Sequence, residues 1–503
     1  MHPFWSIVEL VSEVVSLLPL ADQAHIAQVH SALWKIAIPH IWRDITSIKP
    51  FINLFPPDLW NKAQERTIRR PMLNRALQDS DWTRFRLYSE KTRAILSYIG
   101  GDLLNLTPPE IWSHPLLSTS FPRLESFSVA YTKWESEELF KVTRALVRSS
   151  LRSIELTKLG VEDVSLVPIL QAIAENRAVS LEEICSRSES NISALSDRGA
   201  RVVASQTNLR RLVLKCISRI EELAERAEDF QLLEELDVQV PILRHRLPER
   251  HSNKKGFRSL TTLSVDGTPV ENHHILSSIW SNRLTRVAVR FNSYLPERDQ
   301  LYPEVIAELR RFRPHLAHLQ ILVLVTFSWT ALEPALDLAE LQSVALVHLR
   351  VAPGGGITDD RLRQMIDAWP NLTRLYIRGL LSYSPITLTS LAYIATHLPN
   401  LKKLGVLFDA RKENNPLLSQ DVCKSTFAEN ALEVFDVQRS NFDKGDENRV
   451  AKDLLRCWWP RAGLCICTMG PTLNTDWDIP ADKSYSVPWP RSDEGSARHP
   501  FYN

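Results

Sequence analysis

A six-residue spelling, L-x-x-L-x-L, recurs along most of this chain, and little else constrains its fold so tightly. Clear copies carry Leu372, Leu375 and Ile377, then Leu401, Leu404 and Val406. Counting a degraded copy at Leu181, the first residues fall at Leu124, Leu151, Leu181, Leu209, Leu233, Leu260, Leu284, Leu319, Leu341, Leu372, Leu401 and Leu432, spaced by 22 to 35 residues. Chance supplies one or two such matches, not twelve at a nearly regular period. A single unit of this size cannot bury its own apolar face, whereas stacked units share one continuous core.

The alternation in L-x-L makes a short strand with one apolar face. The stretches between copies read as helices. Ile357, Leu362, Met365, Ile366 and Trp369 recur at helical spacing, with Thr358 and Asp359 as caps and Pro370 as the stop. Leu388, Leu391, Ile394 and Leu398, followed by Pro399, repeat the logic. The fold class is α/β. A doubly wound sheet also alternates strands with helices, but these strands are too short, too numerous and too uniform in spelling. The pattern is similar to the leucine-rich repeat, which implies a solenoid with short parallel strands on its concave face and helices on its convex face. Residues 121–440 are assigned to it. Residues 47–120 read as a helical linker and N-terminal cap, 441–475 (with Leu454, Leu455, Trp458 and Trp459) as a C-terminal cap, and 476–503 as an irregular tail.

Residues 1–46 differ. Ile7, Leu10, Val11, Val14, Leu17 and Leu18 fall on one helical stripe. Pro19 and Asp22 break and restart the chain, Ile26, Val29 and Leu33 mark a second helix, and Pro39 breaks it again before Ile41 and Trp42. Three short helices are too small for an independent core, so they should dock onto something. The segment resembles the F-box. Leu18, Pro19 and Asp22 supply its turn, Val29 and Trp34 its middle, and Pro39, Trp42 and Arg43 its close, while Ile7 and Val8 stand where the family opens with leucine-proline. With Ala37 before Pro39, and Asp81, Trp82 and Phe85 ahead of the repeats, the chain looks like the F-box/leucine-rich-repeat proteins of fungi.

That resemblance implies a non-catalytic substrate receptor of a Skp–cullin–F-box ubiquitin ligase. Ile7, Leu10, Val14, Leu18, Pro19, Asp22, Ile26, Val29, Trp34 and Trp42 would face the Skp-type adaptor, which in turn binds a cullin. The plainer alternatives are packing within the chain or a homodimer for the stripe, and core filling for Trp34 and Trp42. The target would meet the outward strand positions, the third, fifth and seventh of each copy. These carry Arg211 and Lys215, then Arg286, Arg290, Arg374, Tyr376, Arg378 and Lys403, with Glu235 and Asp237 interrupting. Tyrosine and arginine are enriched at binding hot spots. Arg286, Arg290, Arg374, Tyr376, Arg378 and Lys403 are therefore the candidate target-binding residues, for a protein segment that is acidic or phosphorylated. The alternative is that these charges serve solubility.

Composition excludes little but points one way. Lys and Arg total 60 against 59 Asp and Glu, so net charge gives no reason to expect nucleic acid or an anionic membrane as partner. Six scattered cysteines suit a reducing compartment, and no stretch of 18 apolar residues occurs, so the expected location is cytoplasm, nucleus or both. HExxH, GxSxG, GxGxxG and P-loop motifs are missing. Gly354, Gly355 and Gly356 read as a loop, Cys465 and Cys467 as small apolar residues, and His273, His274, His315 and His318 lack partners at metal spacing. No enzyme activity, cofactor or metal is expected. Two further readings stay open: a leucine-rich-repeat scaffold without ligase recruitment, and an F-box protein acting outside ubiquitination.

Overall fold

A computed structural model describes residues 7–61, 72–97, 108–131, 136–158, 167–176, 181–188, 197–215, 220–240, 256–291, 302–323, 326–327, 329–347, 350–351, 357–378, 386–411, 431–436 and 463–465. The chain divides into two compact units, Met1–His315 and Leu316–Asn503.

In the first unit nine strands lie parallel in sequence order: β1 (Asp44–Ile45), β2 (Ala94–Ser97), β3 (Ser126–Tyr131), β4 (Ser153–Lys158), β5 (Glu183–Ser188), β6 (Arg211–Leu214), β7 (Glu235–Gln239), β8 (Thr262–Gly267) and β9 (Arg286–Phe291). Their register places the fourth residue of every repeat in one row, from Ile45 and Ile95 through Phe127, Ile154, Ile184, Leu212, Leu236 and Leu263 to Val287, and all are buried. The first-position leucines from Leu124 to Leu284 are buried as well. Each such leucine contributes roughly 1.5–3 kcal/mol relative to exposure. One hydrogen-bond device recurs from strand to strand: the carbonyl of a repeat's second residue accepts from two successive amides of the next. Thus Arg93 O takes Glu125 N (2.7 Å) and Ser126 N (3.0 Å), and Arg210 O takes Glu234 N (2.7 Å) and Glu235 N (2.9 Å).

The ladder starts before the spelling does. At β1 and β2 the first position is held by Trp42 and Thr92 rather than leucine, yet Arg43 O accepts from Arg93 N and Ala94 N in the same manner. The strands thus reach into segments that sequence assigned to the F-box and the linker.

In the second unit the parallel neighbours are β10 (His318–Val323), β12 (Ser343–Val347), β14 (Arg374–Arg378), β15 (Lys403–Val406), β16 (Val434–Asp436) and β17 (Gly463–Cys465). A separate two-stranded ladder joins β11 (Thr326–Phe327) to β13 (Arg350–Val351). One repeat is framed differently from the sequence expectation. Leu319 pairs with Val344 and so holds the fourth position, which makes Leu316 the first residue. The segment spells the motif in two frames three residues apart, and the register selects the one that buries Leu316, Leu319 and Ile321 completely. The helices Asp359–Ala368 and Leu388–His397 form where the spacing predicts, capped by Thr358 (accepting from Arg361 N, 3.4 Å) and Thr387 (accepting from Thr389 N, 3.3 Å). Between Leu316 and Leu341 the described helical elements are a four-residue helix, Trp329–Leu332, and a 3-10 turn, Glu333–Asp337.

The N-terminal helices are α1 (Val8–Ser16), α2 (Leu20–Val29) and α3 (Ser31–Ile41). Val11, Val15, Ala27 and Ala37 form their core, with Ile26, Leu33, Trp34, Ile36 and Ile41 packed against it. Ser12 Oγ and His40 Nε2 lie 2.9 Å apart, tying α1 to α3. Of the expected stripe, Val11 is the residue that turns inward. The line that packs inward is Val11 and Val15, four residues apart, and Leu10, Val14 and Leu17 turn outward. Beyond α3 an aromatic cluster closes the first repeats: Phe51 lies 5.0 Å from Phe85 and 5.3 Å from Phe121, and Phe55 lies 5.2 Å from Trp82. Arg75 braces it, donating to Asp81 through both terminal nitrogens (2.7 and 2.8 Å) and to Asp58 through Nε (2.9 Å).

Candidate interaction surfaces

Two surfaces stand out, one apolar and one charged. The first lies on α1 and α2. Ile7, Val8, Leu10, Val14, Leu17, Leu20 and Val29 are all exposed, Leu17 by 78% and Val29 by 73%. Seven large aliphatic side chains are thus left in water on two short helices and their ends. Of the ten residues assigned to adaptor contact, Ile7, Leu10, Val14, Pro19, Asp22 and Val29 are exposed and Leu18 is half-buried. Ile26 and Trp34 instead pack on the core of the helices. Trp42 heads the first repeat, its ring 5.0 Å from Phe51 and 4.5 Å from Tyr88. Leu17 and Leu20 are outward residues that the contact assignment omitted. Leu17 follows Val14 at helical spacing, off the buried line of Val11 and Val15, whereas Leu20 opens α2.

The second surface is the outward face of the strands. Across β5, β6 and β7 of the first unit it neutralises itself. Arg211 sits between Glu183 (2.5 Å) and Glu235 (3.0 Å), its register neighbours on β5 and β7, and Lys215 pairs with Asp237 at 2.7 Å. Glu235 and Asp237, which interrupt the basic pattern in sequence, are thus its counter-ions. Burial pushes the Glu183 carboxyl up, but hydrogen bonds from Cys185, Ser153 and Arg211 outweigh it and hold the group below the usual carboxylate range. Burial, and then the Glu183 charge, push the Cys185 thiol up to about 12. The second positions, at the strand entries, alternate in sign: Arg93 meets Glu125 (3.4 Å), Arg152 meets Glu182, and Arg210 meets Glu234 (2.5 Å). Arg286 is exposed and Arg290 half-buried, and neither forms an ion pair among the described residues.

The second unit differs. Arg374 and Lys403 are register neighbours on β14 and β15, half-buried, and neither has a carboxylate within ion-pair distance among the described residues. Tyr376, two residues on from Arg374, stands in its row between Ala345 and Gly405. Ser343, the other neighbour of Arg374, is 1% exposed, and its Oγ has no hydrogen-bond partner among the described residues. Arg378 ends β14, but its side chain lies outside the described residues, as do Gly354, Gly355, Gly356, Cys467, Trp458 and Trp459. Among the described residues no three His, Cys, Asp or Glu side chains gather as a metal site, and no helix is long and apolar enough to cross a membrane.

No family model and no curated protein matches this chain. Among solved structures it is similar to a Bacteroides fragilis protein from structural genomics (14% identity over 57% of this chain and 76% of that one, TM-score 0.34). It is also similar to TLR13 in complex with ssRNA13 (12% identity, 75% of this chain and 46% of that one, TM-score 0.36). A third likeness is the plant peptide hormone receptor RGFR1 in complex with RGF2 (12% identity, 75% and 66%, TM-score 0.22). The chain spans less than half the length of the TLR13 chain. Within each unit the described parallel strands bring the fourth residue of the motif into a buried row, an architecture similar to a leucine-rich-repeat solenoid.

Proposed function

We propose that this chain is the substrate-recognition subunit of a Skp–cullin–F-box type ubiquitin ligase, with α1–α3 docking a Skp-type adaptor and the repeats holding a protein target. The observation that carries the reading is the run of exposed aliphatic residues on α1 and α2, immediately ahead of the first repeat. An apolar face on a small helical set gains most by burial against another protein, about 25 cal/mol for each Å² covered. The F-box resemblance of Leu18, Pro19, Asp22, Val29 and Trp34 names the occupant as the adaptor, and through it a cullin. The chain itself then needs no catalytic group. It raises the local concentration of a target lysine beside the conjugating enzyme.

The test is co-expression with a Skp-type adaptor followed by size-exclusion chromatography, beside the Val14→Asp, Leu17→Asp variant. Both positions are exposed, so the variant keeps the Val11 and Val15 core. A complex formed by the parent chain and lost in the variant supports the reading. Well-folded protein that forms no complex overturns it and leaves a repeat scaffold without ligase recruitment.

A further inference from the structure

Resting on target capture by the repeats, we infer that the outward face of β12, β14 and β15 holds an extended acidic segment of the captured protein, with Arg374 and Lys403 as its charge anchors and Tyr376 as its apolar one. The contrast with β5, β6 and β7 points there. The cations of β6 are spent on neighbouring strands, Arg211 on Glu183 and Glu235 and Lys215 on Asp237, whereas Arg286 and Arg290 of β9 stand four residues apart on a single strand. In the second unit Arg374 and Lys403 stand side by side across one strand pair, without a carboxylate in reach among the described residues. Two like charges on adjacent strands repel, and opposite-sign partners relieve such repulsion. A segment bearing carboxylates would supply from outside what Glu183 and Glu235 supply from within.

One further feature suits this occupant. Tyr376 is flanked in register by Ala345 and Gly405, both small and buried, so its half-buried ring is the largest side chain of that row. The acid nearest in register, Asp436, lies opposite Gly405 on β16, two residues on from the position that faces Lys403. A nucleic acid fits less well. Its affinity grows with the number of phosphates neutralised, and this face offers two described cations in a chain of net charge +1.

The experiment uses the full chain and follows fluorescence anisotropy of a labelled peptide of alternating glutamate and serine. Its counterpart of lysine and serine serves as a second probe, and an unlabelled single-stranded oligouridylate as competitor. Arg374→Glu with Lys403→Glu should weaken the acidic peptide by about tenfold or more, and added salt should weaken the parent's binding. The equally charged control Arg84→Glu with Arg86→Glu, on exposed residues far along the chain, should leave it unchanged. Arg374→Gln with Lys403→Gln should fall between, which covers the case of a reversal variant that does not fold. Equal affinity in parent and reversal variant overturns the inference, as does a lysine peptide bound as tightly, or displacement by the oligouridylate at lower concentration than by acidic peptide. Adaptor binding is read on the same samples. Acidic-peptide binding without an adaptor complex removes the ligase reading and leaves this one standing; an adaptor complex without acidic-peptide binding does the reverse.

Discussion

The Asp359 carboxylate accepts both the backbone amide (2.8 Å) and the hydroxyl (2.7 Å) of Thr387, which caps the helix of the next repeat. Ser390 Oγ adds a third bond at 2.5 Å. One side chain in the first turn of its own helix therefore fixes the start of the next. Replacing Asp359 by alanine orphans three donors, one of them an N-cap, and should destabilise the second unit by about 2–3 kcal/mol. Urea unfolding monitored by circular dichroism would show it. Asp359→Asn should recover part of the loss, because one amide oxygen still accepts.

The Arg–Glu ladder at the strand entries should respond to a change of sign. Each pair is exposed and contributes about 0–1 kcal/mol alone. Arg152→Glu, however, places a third carboxylate between Glu125 and Glu182. A loss of about 0.5–1 kcal/mol is expected, and it should shrink as salt screens the repulsion. Thermal melts at low and high ionic strength would separate this from a plain packing defect, which salt would not relieve.

Asp81 links acid stability to the aromatic cluster. The hydrogen bonds from Arg75 hold its carboxyl below the ordinary range. A carboxyl more acidic folded than unfolded contributes its full stability above the unfolded value of about 3.9, and that contribution fades as pH falls through the lowered folded value. Asp81→Asn should therefore be less stable at neutral pH, and should differ least from the parent chain at the acid end. Stability measured across the acid range would reveal a profile of unchanged slope if the pair were inert.

Cys185 should be unreactive in the folded chain. It is 1% exposed with its thiol raised to about 12, so almost none is thiolate near neutral pH. Iodoacetamide labelling followed by peptide mass spectrometry should leave Cys185 unmodified in buffer and modify it in denaturant.

Gly256 has no room for a side chain. A Cβ there would stand 2.0 Å from the Ala227 carbonyl carbon, and the following residue, Phe257, has φ of 52°. Gly256→Ala must displace backbone and should cost about 3 kcal/mol or more, visible as a lowered midpoint in denaturant. A change within experimental error would mean that this turn relaxes freely.

What the sequence determined by itself is whatever depends on near neighbours. The alternation around Leu375 and Leu404 specifies strands, the spacing of Leu362, Met365 and Ile366 specifies a helix, and Thr358 starts it, because these follow from periods of two and 3.6 residues. The exposed aliphatics of α1 were legible as a stripe, but not its inward line, since Val11 and Val15 are chosen by the packing of α3. Tertiary structure alone decided the rest. Trp42 and Thr92 disguise the first two strands, and the frame at Leu316 is settled only by pairing with β12. Residues 24 to 28 positions apart become touching neighbours only when the strands align, with intervening helices of unequal length. That alignment gives Arg211 its two glutamates and leaves Arg374 and Lys403 facing each other. A charge's partner across a parallel ladder is set by register, and register is a property of the folded sheet.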